Sequence, residues 1–246
     1  KYEEERKIEK KEIKKFNKPI DTLYLRQADK ERLVSVLDTF KNKSEIYKEF
    51  GIPKKLGVLG HGSYGTGKTT TIYAMADYLE TDVYYIDLNG ITKNYELKEM
   101  FDYVREHNVD GGIVVLEDID AMTDVVLKRD ENEIDECMLD MDDGDLSLSY
   151  LLNMLDGTLC SDNTIFVITT NHKDKLDGAL YRPGRIDVDI EFKKCDRFQF
   201  NSIHKKIIGK DIPKELLMRI EENVHVPAAV ISHFMQMMYS NKNEHD

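Results

Sequence analysis

The sequence is poor in cysteine: Cys137, Cys160 and Cys195 are the three in 246 residues, and no two form a CxxC pair. An odd number at wide spacing argues against a disulfide framework or a cysteine-bound zinc, and predicts reduced thiols in an intracellular protein. Long apolar runs are also missing. None approaches the roughly 18 residues that a bilayer requires, so no membrane segment is expected within these residues. Positive charge is in deficit, with 35 Lys and Arg against 47 Asp and Glu and a formal net charge of −12. That balance disfavours bulk attraction to nucleic acid or to anionic lipid, although it leaves room for a local basic patch. The seven histidines form no HExxH or other metal-ligand spacing, and there is no GxSxG elbow. Zinc hydrolysis and serine esterase chemistry are therefore not expected. The first residue is Lys rather than Met, and the chain is expected to be a fragment whose anchor or targeting signal, if it has one, lies elsewhere.

What is present suffices for a large domain plus a small one. Hydrophobic residues make up 41% of the chain, enough for a substantial core. Residues 1–18 alternate charges and read as a charged tail, either a solvated helix or a frayed end. Leu33, Val36, Leu37 and Phe40 recur at helical spacing until Gly51-Ile52-Pro53 stops the pattern. From there, short β-rich runs at Leu56–Leu59, Val83–Leu88, Ile113–Leu116, Thr164–Thr169 and Val188–Phe192 alternate with helical stretches at Lys68–Leu79, Leu97–Glu106 and Leu146–Leu155. Nearly continuous apolar strands separated by helices predict a five-stranded parallel sheet covered on both faces, an α/β domain over residues 19–194. Beyond Phe192 only helices are expected, at Arg197–Ile208, Pro213–Glu222 and Pro227–Tyr239, forming a small all-helical lid domain over residues 195–246. Met218, Met235, Met237 and Met238 are expected to fill its core. Residues 129–145 carry nine acidic side chains and one basic one. Without the glycine and closing glutamate of an EF-hand, this stretch reads as a mobile acidic insertion rather than a calcium loop.

The most specific local signal is Gly62-Ser63-Tyr64-Gly65-Thr66-Gly67-Lys68-Thr69, a complete GxxxxGK[ST] match between an apolar strand and a helix. Glycines there let consecutive backbone N–H groups turn toward phosphate oxygens, and the helix start adds partial positive charge. Lys68 is expected to meet the β- and γ-phosphates, the Thr69 hydroxyl to hold Mg²⁺, and Thr70 to extend the cradle. A phosphate cradle needs acids to complete its metal site and orient water. Ile113-Val114-Val115-Leu116-Glu117-Asp118 supplies them, since two adjacent carboxylates ending a buried strand are costly unless a cation or hydrogen bonds meet them.

With these motifs in hand, the sequence resembles the AAA family of ATPases, built on the P-loop NTPase fold. Leu59–Thr69 looks like its phosphate loop, and Leu116-Glu117-Asp118-Ile119-Asp120 like its Walker B segment. Thr169-Thr170-Asn171 and the run from Leu176 through Arg182-Pro183-Gly184-Arg185 to Asp187 resemble its second region of homology. The resemblance spans about residues 19–240. Within the family it is closest to the clade of the mitochondrial respiratory complex III assembly ATPase (Bcs-type), on Gly51-Ile52-Pro53, the Glu117-Asp118 order and the acidic insertion.

The resemblance implies ATP and Mg²⁺ as cofactors, Glu117 as the metal-side acid, Asp118 as the water-orienting acid and Asn171 as the sensor that helps place the water. It implies that Arg182 and Arg185 are arginine fingers reaching a neighbouring subunit, within a homo-oligomeric ring of six or seven chains acting on a protein client, in a chaperone or assembly role. Such a domain would be cytoplasmic or the exposed part of a membrane-anchored protein, with an upstream anchor and middle domain expected if the clade assignment holds.

Three departures from the family pattern qualify this. Glu117 precedes Asp118 where most members have aspartate before glutamate, and Asp118 is one methylene shorter than the usual acid, which is compatible with slow hydrolysis and equally with an inactive nucleotide switch. Ser63-Tyr64 replaces the usual proline pair. The chain also runs from Leu88-Asn89-Gly90 through Ile91-Thr92-Lys93 into a helix without an aromatic pore loop, so threading of an unfolded client is not expected. Two alternatives stand beside hydrolysis: an ATP-dependent assembly switch with little turnover, and a DNA-acting ATPase, which the acidic balance disfavours.

Overall fold

A computed structural model describes residues 8–11, 17–107, 111–122, 127, 144–156, 163–182 and 184–242. The strands are β1 (Ile8–Lys11), β2 (Lys55–His61), β3 (Val83–Ile86), β4 (Gly112–Leu116), β5 (Thr164–Thr170) and β6 (Val188–Glu191). The helices are α1 (Gln27–Asn42), α2 (Ser44–Glu49), α3 (Lys68–Leu79), α4 (Asn94–His107), α5 (Ile119–Met122), α6 (Leu148–Asp156), α7 (Arg197–Ile208), α8 (Lys214–Arg219) and α9 (Pro227–Lys242).

The sheet order is β1-β3-β4-β5-β2-β6, and β2 to β6 all pair in parallel. The five expected strands therefore form the expected parallel sheet. Strand alternation explains why its runs are apolar throughout. Val114, Leu116, Phe166 and Ile168 face one core with Leu97, Phe101 and Val104 of α4 and Leu151, Leu152 and Leu155 of α6. Their neighbours Ile113, Val115, Ile165 and Val167 face the other, with Leu33 and Leu37 of α1 and Ile72 and Met75 of α3. Each such side chain contributes about 1.5–3 kcal/mol by leaving water. Gly57 allows one close approach: a Cβ there would lie 1.6 Å from the Arg185 carbonyl oxygen. Its N–H donates to Asp187 Oδ2 and its carbonyl accepts from Asp187 N–H, both at 2.8 Å.

Several expectations need correction. Residues 8–11 are neither a solvated helix nor a frayed end but strand β1, antiparallel to β3 with Ile8 opposite Ile86. An edge strand satisfies backbone groups that β3 would otherwise leave unpaired, and this gain outweighs a charged composition. The helix expected over Pro213–Glu222 is shorter, Lys214–Arg219, and Pro213 precedes it at the N-cap. The methionine core is not borne out as a whole. Met218 and Met237 are 67% and 47% exposed, because the small third core is built from Cys195, Phe200, Ile203 and Val230. The acidic insertion at 129–145 lies outside the described residues except for Gly144 and Asp145, as do Cys137, Cys160 and Pro183.

Candidate nucleotide site

Parallel pairing places three strand ends side by side. Ile168 is in register with both Leu59 of β2 and Leu116 of β4, so the residues that follow each strand emerge together: the phosphate loop, Asn171, and the Glu117-Asp118 pair. The crevice beyond the carboxyl ends of parallel strands is where α/β folds bind ligands. The loop holds Gly62, Gly65 and Gly67 at φ of +144°, +74° and +109°, values that side chains rarely adopt. It is braced from within by Thr66 Oγ1 donating to Ser63 O at 2.6 Å, and from the C-terminal helices by Ala228 N–H donating to Gly65 O at 3.2 Å. Helix α3 starts at Lys68, which aims the helix N-terminus along the loop.

Lys68 is buried, and its ammonium donates to Gly62 O and Asn171 Oδ1, both at 2.7 Å, and to Ser63 O at 3.3 Å. It also lies 5.5 Å from the Tyr64 ring centroid. Burial pushes the ammonium below the usual lysine range, and the carboxylates of Asp118, Asp120 and Glu117 pull it back up. The Thr69 hydroxyl donates to Glu117 Oε1. Two hard oxygens from a loop and a strand end therefore meet, a donor set suited to Mg²⁺, which takes one or two protein oxygens and completes its shell with water and phosphate. Among the described residues no group of three or more His, Cys, Asp and Glu forms a metal cage.

Asp118 has φ of +46°, an unusual backbone for a side chain other than glycine. Its N–H donates to Thr169 Oγ1 at 2.8 Å, which holds the turn. Its Oδ1 accepts from Asn171 Nδ2 at 3.1 Å. Lys68 at the start of α3, Asn171 after β5 and Asp118 after β4 thus form one hydrogen-bonded row. The two arginines stand apart from it. Arg182 is exposed, while Arg185 is held within its own chain by Asp156 at 2.6 Å and by Ala179 O at 2.8 Å.

The sequence reading missed the pocket's apolar wall. The pocket, about 270 Å³, is lined by residues 64–71, Glu117 and Asp118, and also by Leu23, Tyr24, Leu25, Pro227, Ala228 and Ile231. These come from both ends of the chain and carry no motif; the proline opening α9 was the only hint. A wider groove of about 710 Å³ runs between α1 and α7, and its lining includes neither the phosphate loop nor Glu117 and Asp118.

The sequence model of the ATPase family associated with various cellular activities (AAA) matches residues 58–194. Among curated Arabidopsis thaliana proteins, the chain is 36% identical to AAA-ATPase At2g18193 over 223 residues, covering 88% of this chain and 43% of that protein. It is 35% identical to AAA-ATPase At5g40000 over 226 residues, 87% of this chain and 47% of that protein. It is 33% identical to the mitochondrial AAA-ATPase At3g28570 over 220 residues, 87% and 48% respectively. The chain therefore spans about half the length of the curated relatives it matches. With the family model covering more than half of its residues and relatives above 30% identity along most of its length, the chain belongs to the AAA family of ATPases.

Proposed function

We propose that this chain binds ATP with Mg²⁺ and hydrolyses it at a site completed by Arg182 and Arg185 of a neighbouring copy. In this reading a ring of six or seven copies uses the cycle to remodel or translocate a protein client. The observation that carries the proposal is the convergence of Lys68, Thr69, Glu117, Asp118 and Asn171 from three adjacent strand ends onto one pocket. Lys68 and the amides of residues 62–67 bind the phosphates, with Thr70 beside them. Thr69 and Glu117 hold the metal, which when bound neutralises charge on the phosphoryl oxygens. Asp118 accepts a proton or hydrogen bond from the attacking water, and Asn171 fixes the water's other side. A guanidinium from the neighbour meets the charge that develops on the γ-phosphoryl group.

Lys68→Ala is expected to abolish binding of a fluorescent ATP analogue or phosphate release, and full activity in that variant would overturn the reading. Mass measurement with ATP, ADP or neither tests assembly and its nucleotide dependence. The finer placement in the complex III assembly clade rests on Gly51-Ile52-Pro53 and the Glu117-Asp118 order, and the mitochondrial name of one relative is in keeping with it. No described helix is long and apolar enough to cross a membrane. Cys195 is a free, buried thiol, which suits the reducing compartment proposed for the domain.

A second reading is favoured by the short side chain of Asp118: an ATP-dependent assembly switch that barely hydrolyses. Phosphate release from the assembled chain no faster than from Lys68→Ala selects the switch.

A further inference from the structure

Asp120 has no role in the scheme above, yet it is tied to the residue on which that scheme depends. It lies in α5, two residues past Asp118, and its Oδ1 accepts from Thr170 Oγ1 at 2.6 Å and from the Asn171 backbone N–H at 3.2 Å. Thr170 is fully buried, and its hydroxyl oxygen accepts in turn from the His172 N–H at 3.0 Å. The β2–β5 register ends at His61 opposite Thr170, so the next two amides leave the ladder and need other acceptors. Asp120 supplies one directly and orients the hydroxyl that supplies the other.

The consequence falls on the Asn171 side chain. With its own N–H and the following one both fixed, its amide group lies where it donates to Asp118 Oδ1 at 3.1 Å and accepts from Lys68 Nζ at 2.7 Å. Without the clamp the Asn171 backbone is free to turn, and the row from Lys68 to Asp118 loses its middle member. Reacting groups displaced by about 1 Å lose on the order of 100-fold in rate.

We infer that Asp120 is a positioning residue for ATP hydrolysis, acting through Thr170 and the Asn171 backbone to hold the Asn171 amide in line with Asp118. The inference rests on the proposed role of Asn171. It requires an acceptor oxygen at position 120 rather than a negative charge.

The test is steady-state phosphate release at a chain concentration where turnover per subunit no longer rises, together with fluorescent ATP-analogue binding and thermal unfolding. Asp120→Ala is expected to lower kcat about 10- to 100-fold with KM changed less than about threefold. Asp120→Asn keeps an acceptor and is expected to recover kcat to within about threefold of the unmodified chain. Thr170→Val should reproduce the loss with little change in unfolding temperature, and Thr170→Ser should not. Adding Asp120→Ala to Asn171→Ala should cost nothing further, because both act on one group. Unchanged kcat in Asp120→Ala alongside a loss in Asn171→Ala overturns the inference and leaves the proposed site standing. So does an Asp120→Asn variant as slow as Asp120→Ala, since charge would then be the requirement. Normal turnover in Asn171→Ala overturns the proposed role of Asn171 and the inference with it, whereas no turnover in the unmodified chain overturns the hydrolytic reading itself.

Discussion

Arg185 and Asp156 are joined by two hydrogen bonds, Nε to Oδ1 at 2.7 Å and Nη2 to Oδ2 at 2.6 Å, while Nη1 donates to Ala179 O at 2.8 Å. A planar fork on a carboxylate fixes the direction as well as the place of the guanidinium. The arginine proposed to serve a neighbour's nucleotide is therefore presented by the last residue of α6.

Arg185→Ala is expected to keep ATP affinity while lowering turnover about 10³-fold or more, the scale of an arginine finger. Asp156→Ala should lower turnover by less, because the arginine remains but loses its orientation. Full turnover in Arg185→Ala would count against catalysis in trans. The hydrogen bonds from Arg185 hold the Asp156 carboxyl below the usual carboxylate range. A depressed folded value means that the pair's contribution is present above the ordinary carboxylate pKa and is lost as pH falls through the lowered one. Turnover limited by this pair is thus expected to be flat with pH around neutrality.

Asp118 sits at φ of +46°, so its backbone carries strain that glycine would not. Asp118→Gly is expected to be about 1 kcal/mol more stable than Asp118→Ala, with both losing phosphate release. Denaturant melts of the two variants check this. Equal stability would show that the turn costs nothing, whatever happens to turnover.

Gly57→Ala places a Cβ against the Arg185 carbonyl, at a distance no real contact reaches. Either β2 or the Arg185–Asp187 segment must move. The expected destabilisation is about 2 kcal/mol, and turnover should fall with it because the displaced segment carries Arg185. A variant that melts like the unmodified chain would mean that the two backbones are not in contact.

Cys195 is fully buried, and burial together with the charge of Asp196 pushes its thiol up to about 12. The unfolded thiol ionises at ordinary values, so the stability Cys195 contributes is complete below about pH 9 and declines as pH rises toward the folded value. Thiol labelling at pH 8, read at the Cys195 peptide by mass spectrometry, should proceed only with unfolding. Rapid labelling of the folded chain would contradict the burial.

The local parts of this protein were legible because each has a local cause. Two-sided burial makes a parallel strand apolar throughout, as in Ile113–Leu116, and the phosphate loop needs glycine where φ is positive and lysine where the helix begins. Those requirements act within a few residues, so the α/β class, the phosphate loop and the Glu117-Asp118 pair could be read from residue order. Adjacency between distant segments was decided only by strand order and register. Placing β5 between β2 and β4 brings Asn171 between Lys68 and Asp118, sets Asp120 beneath Thr170, lays Asp156 against Arg185, and closes the pocket with Leu23 and Ile231 from opposite ends of the chain. It also leaves an edge on β3 that a charged segment, Ile8–Lys11, completes through backbone hydrogen bonds to which its side-chain pattern gave no clue.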